Sequence, residues 1–176
     1  IPYSKEDDQT PEWIEKRHGT HYIQHEKIAM RDSPPPRLEL LQLKKYRLGC
    51  VQSTRGCPFK CEFCDIIVTY GRKVRAKPVE AVVAELQQWA DAGIDFITIA
   101  DDNLVGDRIY CKKMLKAVGD WNRARKVPVN LFAEMSVDAG KDADLLELCR
   151  YANITEIFLG IETPRKASLR ETQKIQ

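Results

Sequence analysis

The chain alternates between amphipathic segments and short apolar runs. Residues 79–92 repeat apolar side chains at the three- and four-residue spacing of an amphipathic helix, with Pro78 at its start and Gly93 just past its end. Residues 94–100 form an apolar run rich in β-branched side chains, which is typical of a buried strand. The pattern therefore predicts a helix followed directly by a strand.

The same alternation continues toward the end of the chain. Asp107 is a residue type that caps helices, and the apolar positions after it predict a second helix. A third helix is predicted over residues 142–152, because Asn153 tolerates the left-handed backbone that commonly ends a helix. The remaining predicted elements are strands over residues 48–53, 127–137 and 154–161, and a helix that opens at Thr163 and Pro164.

Strands that alternate with helices favour a parallel sheet with right-handed crossovers. No Gly-x-Gly-x-x-Gly fingerprint follows a predicted strand, which weakens the case for a dinucleotide-binding Rossmann sheet. In a (β/α) barrel, functional side chains gather at the carboxyl ends of the strands. We therefore predict an α/β fold, a partial (β/α) TIM-like barrel truncated after its fourth strand. The residues at its strand ends would be the cysteines of residues 57–64, then Asp101, Asp102 and Asn103, then Glu134 and Ser136, and finally Glu162.

The composition is that of an ordinary globular protein. The 176 residues are enough for one domain with a sizeable core, and the net charge of +2 gives no strong attraction to nucleic acid or anionic lipid. No apolar run reaches the length of a membrane span, and no secretory signal is visible. Six cysteines in such a chain favour reduced thiols or metal ligands and a cytoplasmic location.

Residues 1–46 differ from the rest of the chain. They are polar, and the prolines at 34–36 favour a stiff, extended spacer. The histidines in this stretch have no spacing typical of metal ligands, so we interpret them as solvated or locally hydrogen-bonded. We predict a linker or extension over residues 1–46 and the core domain over residues 47–176.

Three cysteines lie within eight residues, with the spacing Cys-x3-Cys-x2-Cys. Cys57, Cys61 and Cys64 can bind three irons of a cubane [4Fe-4S] cluster and leave the fourth iron without a protein ligand. Clusters in electron carriers usually take four cysteines. A missing fourth ligand therefore favours chemistry at the open iron, as at catalytic metal sites that keep an open position.

Two other interpretations of these cysteines are open. A zinc site would need a fourth ligand, for which Cys50 or His25 is available. Structural thiols are the second possibility, although a disulfide is disfavoured in a chain without a secretory signal. The corresponding function would be a zinc- or cluster-stabilised binding module without catalysis.

Further segments accompany the cysteine motif, and together they resemble a known family. Phe63 fills the aromatic position before the third cysteine, and the similar segments are residues 36–41, 52–57, 71–75, 101–103 and 158–164. They resemble the radical S-adenosylmethionine (SAM) superfamily, in particular its branch with an N-terminal cobalamin-binding domain, which includes hopanoid methylases. The resemblance runs from about Ser33 to the end of the chain.

The resemblance implies a cofactor set and a reaction. The open iron would bind the amino and carboxylate groups of SAM, and electron transfer would cleave SAM to a 5′-deoxyadenosyl radical. The outcome implied for this branch is cobalamin-dependent methylation of an unactivated carbon in a small-molecule or lipid substrate, with flavodoxin or ferredoxin as electron donor. The cobalamin-binding domain would lie upstream of Ile1, with residues 1–46 as its connector. A tRNA-modifying radical SAM enzyme is an alternative, disfavoured by the modest net charge.

The resemblance also implies roles for individual side chains. Phe63 would lie next to the adenine of SAM, and Glu162 would accept hydrogen bonds from the ribose hydroxyls. Glu134 would contact SAM or substrate. Alternatively, each acid caps the next helix or pairs with a nearby base. The place of the family's Gly-Gly-Glu motif, which binds the SAM amino group, is taken by Asp101, Asp102 and Asn103.

Overall fold

The computed structural model describes residues 29–174. The strands are β1 (Gly49–Val51), β2 (Thr54–Arg55), β3 (Arg75–Ala76), β4 (Phe96–Ile99), β5 (Asn130–Ser136) and β6 (Ile154–Gly160). The α-helices are α1 (Ile66–Thr69), α2 (Val79–Asp91), α3 (Arg108–Arg123), α4 (Ala143–Tyr151) and α5 (Lys166–Glu171). Short 3-10 helices cover Met30–Asp32, Leu38–Leu40, Leu43–Lys45 and Val137–Lys141. None of the helices in the described part of the chain is long and apolar enough to cross a membrane.

Strands β1, β4, β5 and β6 form one parallel sheet in that order. The spatial order follows the chain order without a reversal, so right-handed crossovers place α2, α3 and α4 on the same face. In agreement, α3 contacts both α2 and α4. A doubly wound sheet reverses its strand order at a switch point, whereas consecutive strands in a barrel do not. The α/β prediction is therefore confirmed, with four strands of a (β/α) barrel arranged as an open sheet.

The three crossover helices bury one face of this sheet. Ile97, Ile99, Leu131 and Ala133 point toward the helices and have no exposed surface. Their neighbours along the strands alternate with them, and Glu134 on the other face is exposed. The hydrophobic core therefore lies on one face of the sheet. The opposite face and the strand ends are available for a functional site. The helical side chains of the core include Val82, Leu86, Met114, Leu115, Val118 and Leu145.

Helix caps agree with the sequence at two places and differ at a third. Asp107 accepts a hydrogen bond from the Tyr110 N–H at 3.0 Å and begins α3 as predicted. Asp142 caps α4 in the same way. The predicted opening of the last helix at Thr163 is wrong, because α5 begins at Lys166. The Thr163 hydroxyl accepts the Arg165 N–H at 3.2 Å in a local turn before the helix starts.

The structure adds contacts that the sequence pattern did not predict. Met30 and Leu38, within the predicted extension, are buried, and Leu38 belongs to the core. The indole N–H of Trp89 donates to the Cys50 carbonyl at 2.9 Å. A Cβ at Gly49 would lie 2.8 Å from the Trp89 ring, so glycine is required where α2 meets β1. His25, the other candidate zinc ligand, lies outside the described residues.

Candidate active site

An antiparallel ribbon of β2 and β3 closes the base of the loop that carries the three cysteines. Gly56 enters this loop with φ = 99°, a conformation that favours glycine. A Cβ at Gly56 would lie 2.7 Å from the Lys73 carbonyl oxygen on the opposite arm. The Cys57 N–H donates to the Gly71 carbonyl at 3.3 Å. The two arms of the loop are thus held together directly beside its first cysteine.

The cysteine loop places its three thiols near one another, so that a charge on Cys64 raises the pKa of both the Cys57 and Cys61 thiols. Cys61 is buried, and Cys57 and Cys64 are half-buried. Burial raises the pKa of the Cys57 thiol, and hydrogen bonds from the Phe59 backbone and the Asn103 side chain oppose that effect. Burial likewise raises the pKa of the Cys61 thiol. A bound metal would therefore displace protons from these two side chains.

The arrangement of the three cysteines is compatible with a cluster. Among residues 29–174, no three His, Cys, Asp or Glu side chains are placed to hold one metal ion. A cubane cluster does not require such a placement, because each cysteine binds a different iron. The loop backbone is compact, and the Cys64 N–H donates to the Cys61 carbonyl at 3.1 Å. Neighbouring thiols on one tight loop are a suitable donor set for a cluster.

Asp101 follows β4 and holds the chain between β1 and β2. Its carboxylate accepts the backbone N–H groups of Ser53 at 2.6 Å and Thr54 at 2.9 Å, and also both side-chain hydroxyls. Burial raises the pKa of the Asp101 carboxyl, and these hydrogen bonds oppose that effect. Both carboxylate oxygens are engaged, so Asp101 fixes the segment that leads into the cysteine loop. A direct contact between Asp101 and SAM stays a prediction.

Asp102 and Asn103 connect the strand ends to the cysteine loop. Asp102 Oδ2 accepts the Gly56 N–H at 2.6 Å. Asn103 is buried, and its Nδ2 donates to Ser136 Oγ at 3.1 Å while its Oδ1 accepts the Ser136 N–H at 3.2 Å. The Asn103 amide therefore joins the ends of β4 and β5, and it lowers the pKa of the Cys57 thiol.

A pocket of about 120 Å³ opens where these elements meet. The exposed side chain of Glu134 lies on its wall, and the Glu134 carbonyl accepts the Leu104 N–H at 2.9 Å. The structure thus brings six of the residues predicted at the strand ends to one pocket. Cys64, Phe63, Asp101 and Glu162 are not part of its lining. The lining residues are Cys57, Phe59, Cys61, Asp102, Asn103, Glu134, Met135, Ser136, Phe158 and Gly160.

Glu162 lies two residues past β6 and forms an ion pair with Lys174. Its φ of 56° is left-handed, which turns the backbone sharply after the strand. The Glu162 side chain is 41% exposed, whereas the Lys174 side chain is only 7% exposed. The Lys174 ammonium also lies 5.7 Å from the centroid of the exposed Phe63 ring. One cation therefore contacts both of the residues that we predicted to flank the nucleoside of SAM.

The segment after α5 docks on the cysteine loop. The Glu62 N–H donates to the Thr172 carbonyl at 3.0 Å, and Gln173 Nε2 donates to Glu62 Oε1 at 2.7 Å. Sequence reasoning did not find Lys174, because nothing local marks it among the many lysines of the chain. The sequence indicates only weakly that Ser53 and Thr54 belong to the site: both are polar and lie at the end of the first predicted strand or directly after it.

The chain is similar in sequence to known proteins. The Radical SAM superfamily model matches residues 51–175. An uncharacterized methyltransferase from Synechocystis sp. is 40% identical over 86% of this chain and 28% of its own length. The hopanoid C-2 methylase of Rhodopseudomonas palustris is 34% identical over 87% of this chain and 29% of its own length. The chain thus spans less than a third of these relatives.

A solved structure shares the fold. The cobalamin-dependent SAM radical enzyme OxsB, solved with aqua-cobalamin and SAM bound, superposes with a TM-score of 0.70 at 19% identity. The match covers 86% of this chain and 24% of that enzyme. The family match includes the cysteine loop, the strands β4, β5 and β6 of the parallel sheet, and α5. This chain therefore belongs to the radical SAM superfamily.

Proposed function

We propose that this chain is the cluster- and SAM-binding part of an enzyme that cleaves SAM reductively and, with cobalamin, methylates an unactivated carbon. The observation that carries the proposal is the pocket shared by Cys57, Cys61, Asp102, Asn103 and Glu134 at the carboxyl ends of a parallel sheet. In (β/α) barrels this edge holds the reacting groups. Membership of the superfamily supports the cluster and SAM. The methyltransferases among the relatives support methylation, and the cobalamin bound to OxsB supports the use of cobalamin.

Cys57, Cys61 and Cys64 would hold the cluster. When bound, the cluster and SAM supply an electron and a 5′-deoxyadenosyl radical, which is chemistry that no side chain provides. The Phe59 backbone and the Asn103 side chain lower the pKa of the Cys57 thiol, so they would act as hydrogen-bond donors to this sulfur. Such donors tune the reduction potential of a cluster.

The remaining polar groups of the pocket would bind SAM and substrate. Asp102 and Asn103 stand next to the first cysteine, where the amino group of a chelated methionine would lie. Glu134 projects from β5 into the same pocket. Glu162 would accept the ribose hydroxyls and Phe63 would flank the adenine. Asp101 acts through Ser53 and Thr54 in this proposal, as a positioning residue.

The wider setting of the enzyme is also part of the proposal. The substrate would be a small molecule or a lipid, as in the hopanoid methylase among the relatives. A flavodoxin or ferredoxin would deliver the electron, and the enzyme would work in the cytoplasm. Residues 1–46 would connect the core to a cobalamin-binding domain. The full-length protein should then bind cobalamin, which its absorption spectrum would reveal.

Cluster binding is tested by anaerobic reconstitution of the full-length protein with iron and sulfide. We expect about four irons per chain, the content of one cubane. Alanine at Cys57, Cys61 or Cys64 should abolish the cluster, whereas alanine at Cys50, Cys111 or Cys149 should leave it. Loss of the metal on replacing Cys50 would contradict an open iron and favour a four-ligand site.

SAM binding is tested by electron paramagnetic resonance of the reduced cluster. SAM should change the spectrum because it ligates the open iron. An unchanged spectrum at saturating SAM would instead favour a binding module without catalysis. A protein that responds to SAM but binds no cobalamin would refute the cobalamin-dependent part alone.

A further inference from the structure

We propose that Lys174 is a positioning residue of this site: it holds the Glu162 carboxylate near the end of β6 and keeps a positive charge beside the cysteine loop, which raises the reduction potential of the bound cluster. The inference rests on the proposed function, because it concerns the same cluster and the same SAM molecule. It adds a residue that neither the cysteine motif nor the strand-end pattern identified.

The surroundings of Lys174 show that its ammonium has a defined place. The side chain is 7% exposed and pairs with Glu162, and a buried ammonium is stable only when it is paired. A Cβ at Gly160 would lie 2.8 Å from Lys174 Nζ, so the glycine at the end of β6 leaves room for the charge. Gly160 also lines the pocket that contains Cys57 and Cys61, so the ammonium lies behind the pocket wall.

The backbone, and not only the flexible side chain, positions this lysine. Helix α5 ends in a Schellman motif, in which Gln173 has φ = 54° and the Lys174 N–H donates to the Leu169 carbonyl at 2.8 Å. The same residues are tied to the cysteine loop, since Glu62 binds both the Thr172 carbonyl and the Gln173 amide. The ammonium is therefore fixed relative to the loop that would hold the cluster.

A fixed charge at this place has a definite electrostatic effect. Reduction adds one negative charge to a cluster, and a nearby cation stabilises the reduced form. The charge of Lys174 already acts on the loop, because it opposes the effect of burial on the pKa of Cys61. Glu162 carries the opposite charge and offsets part of the effect. Lys174 and Glu162 should therefore shift the reduction potential in opposite directions.

The experiment compares variants of the full-length protein after anaerobic reconstitution, with the reduced cluster followed by electron paramagnetic resonance at a series of potentials. Lys174→Met should lower the midpoint potential, Lys174→Arg should stay near the wild type, and Glu162→Gln should raise it. Arg170→Met is the matched control, because Arg170 is an exposed cation on α5, four residues before Lys174, and its replacement should leave the potential unchanged.

SAM affinity provides the second measurement. Without its partner, the Glu162 carboxylate is no longer held for the ribose, so Lys174→Met should weaken SAM binding about tenfold, the effect of losing a hydrogen bond to a charged group. The Arg variant should retain most of the affinity. Melting temperatures of all variants report any general loss of packing.

Three results would overturn the inference. One is a lower melting temperature for Lys174→Met with unchanged potential and SAM affinity, which would make Lys174 a docking residue only. Another is a shift of the same sign for the Lys174→Met and Glu162→Gln proteins. The third result covers the case in which the Lys174→Met protein misfolds and loses its cluster. An unchanged midpoint potential in the Glu162→Gln protein would then overturn the inference. Failure of the proposed function itself is distinguishable, because the wild-type protein would then lack a cluster or its response to SAM.

Discussion

Single residues at this site have different tasks although they look alike in sequence. Asp101 and Asp102 are neighbours, yet the first is buried under four hydrogen bonds and the second caps the entry to the cysteine loop at Gly56. Glu134 and Glu162 both stand at strand ends, but Glu134 lines the pocket and Glu162 pairs with Lys174. The role of an acid at the end of a strand therefore depends on the groups that the neighbouring loops place within its reach.

Replacing Asp101 by Ala should destabilise the protein and weaken the cluster. The substitution removes the acceptor from the backbone N–H groups of Ser53 and Thr54, which are buried, and such a loss costs roughly 2–5 kcal/mol. Chemical denaturation and the iron content after reconstitution measure the two effects. Asp144→Ala is the control, because the Asp144 side chain is 89% exposed and should lose little. Full stability of the Asp101 variant would mean that the carboxylate is not the anchor of this turn.

Replacing Gly56 by Ala should displace one arm of the cysteine loop. The new Cβ would meet the Lys73 carbonyl at 2.7 Å and the Gly71 carbonyl at 2.9 Å, and a positive φ adds about 1 kcal/mol of strain. We expect a lower melting temperature and a lower iron content. The matched control is Gly140→Ala, where a Cβ would meet nothing within 4 Å. Equal behaviour of the two variants would show that the close approach at Gly56 is not required.

Among the secondary-structure elements, the crossover helices are fixed at their starts by capping side chains. Asp142 begins α4 by accepting the Leu145 N–H at 3.1 Å and also pairs with Lys112 at 2.8 Å. The hydrogen bond from Lys112 lowers the pKa of the Asp142 carboxyl below its ordinary value of 3.8. The ionised form therefore stabilises the folded state, and this contribution is present above pH 3.8.

The charge of Asp142 should give a stability difference that depends on pH. Asn is itself a good cap, so Asp142→Asn removes mainly the charge. The variant should melt below the wild type at pH 7, and the difference should vanish as the pH falls through the lowered pKa of the native carboxyl. Thermal melts across that range test this, with the exposed Asp95→Asn as control. A difference that persists unchanged at low pH would mean that the cap, and not the charge, is responsible.

The whole molecule has an apolar edge at β6. Within residues 29–174 this strand ends the four-stranded sheet, and Ile157, Phe158 and Leu159 are between 41% and 60% exposed. Exposed apolar edge strands promote pairing between chains. The edge is therefore the surface through which the isolated 176-residue chain should associate with copies of itself.

A charge on this edge should suppress that association. Sedimentation of the 176-residue chain at increasing concentration should show larger species, and Ile157→Lys should shift the distribution toward the monomer. Ile109→Lys is the control, because Ile109 is 86% exposed on α3, away from the edge, and its replacement should change little. Equal effects of the two substitutions would point to general solubility and not to the β6 edge.

Local features of the chain were enough to predict most of the elements. The helix predicted over residues 79–92 is Val79–Asp91, because its period and its flanking proline and glycine act over a few residues only. The cap at Asp107 is equally local. The cysteine spacing is local as well, and together with the rest of the chain it predicts a cluster. The strand–helix alternation limited the fold to a parallel sheet, since parallel strands require crossovers.

Only the tertiary structure decided which side chains meet. Asp101 binds Ser53 across 48 residues, and Glu62 binds Gln173 across 111 residues. Neither contact has a signature in the sequence, because it depends on the strand order and on how the segment after α5 docks. Lys174 became a candidate for the same reason, since it resembles any other lysine until the end of β6 and the cysteine loop enclose it. Sequence thus determined elements and ligand types through local rules, whereas the partners of each charged group follow from long-range packing.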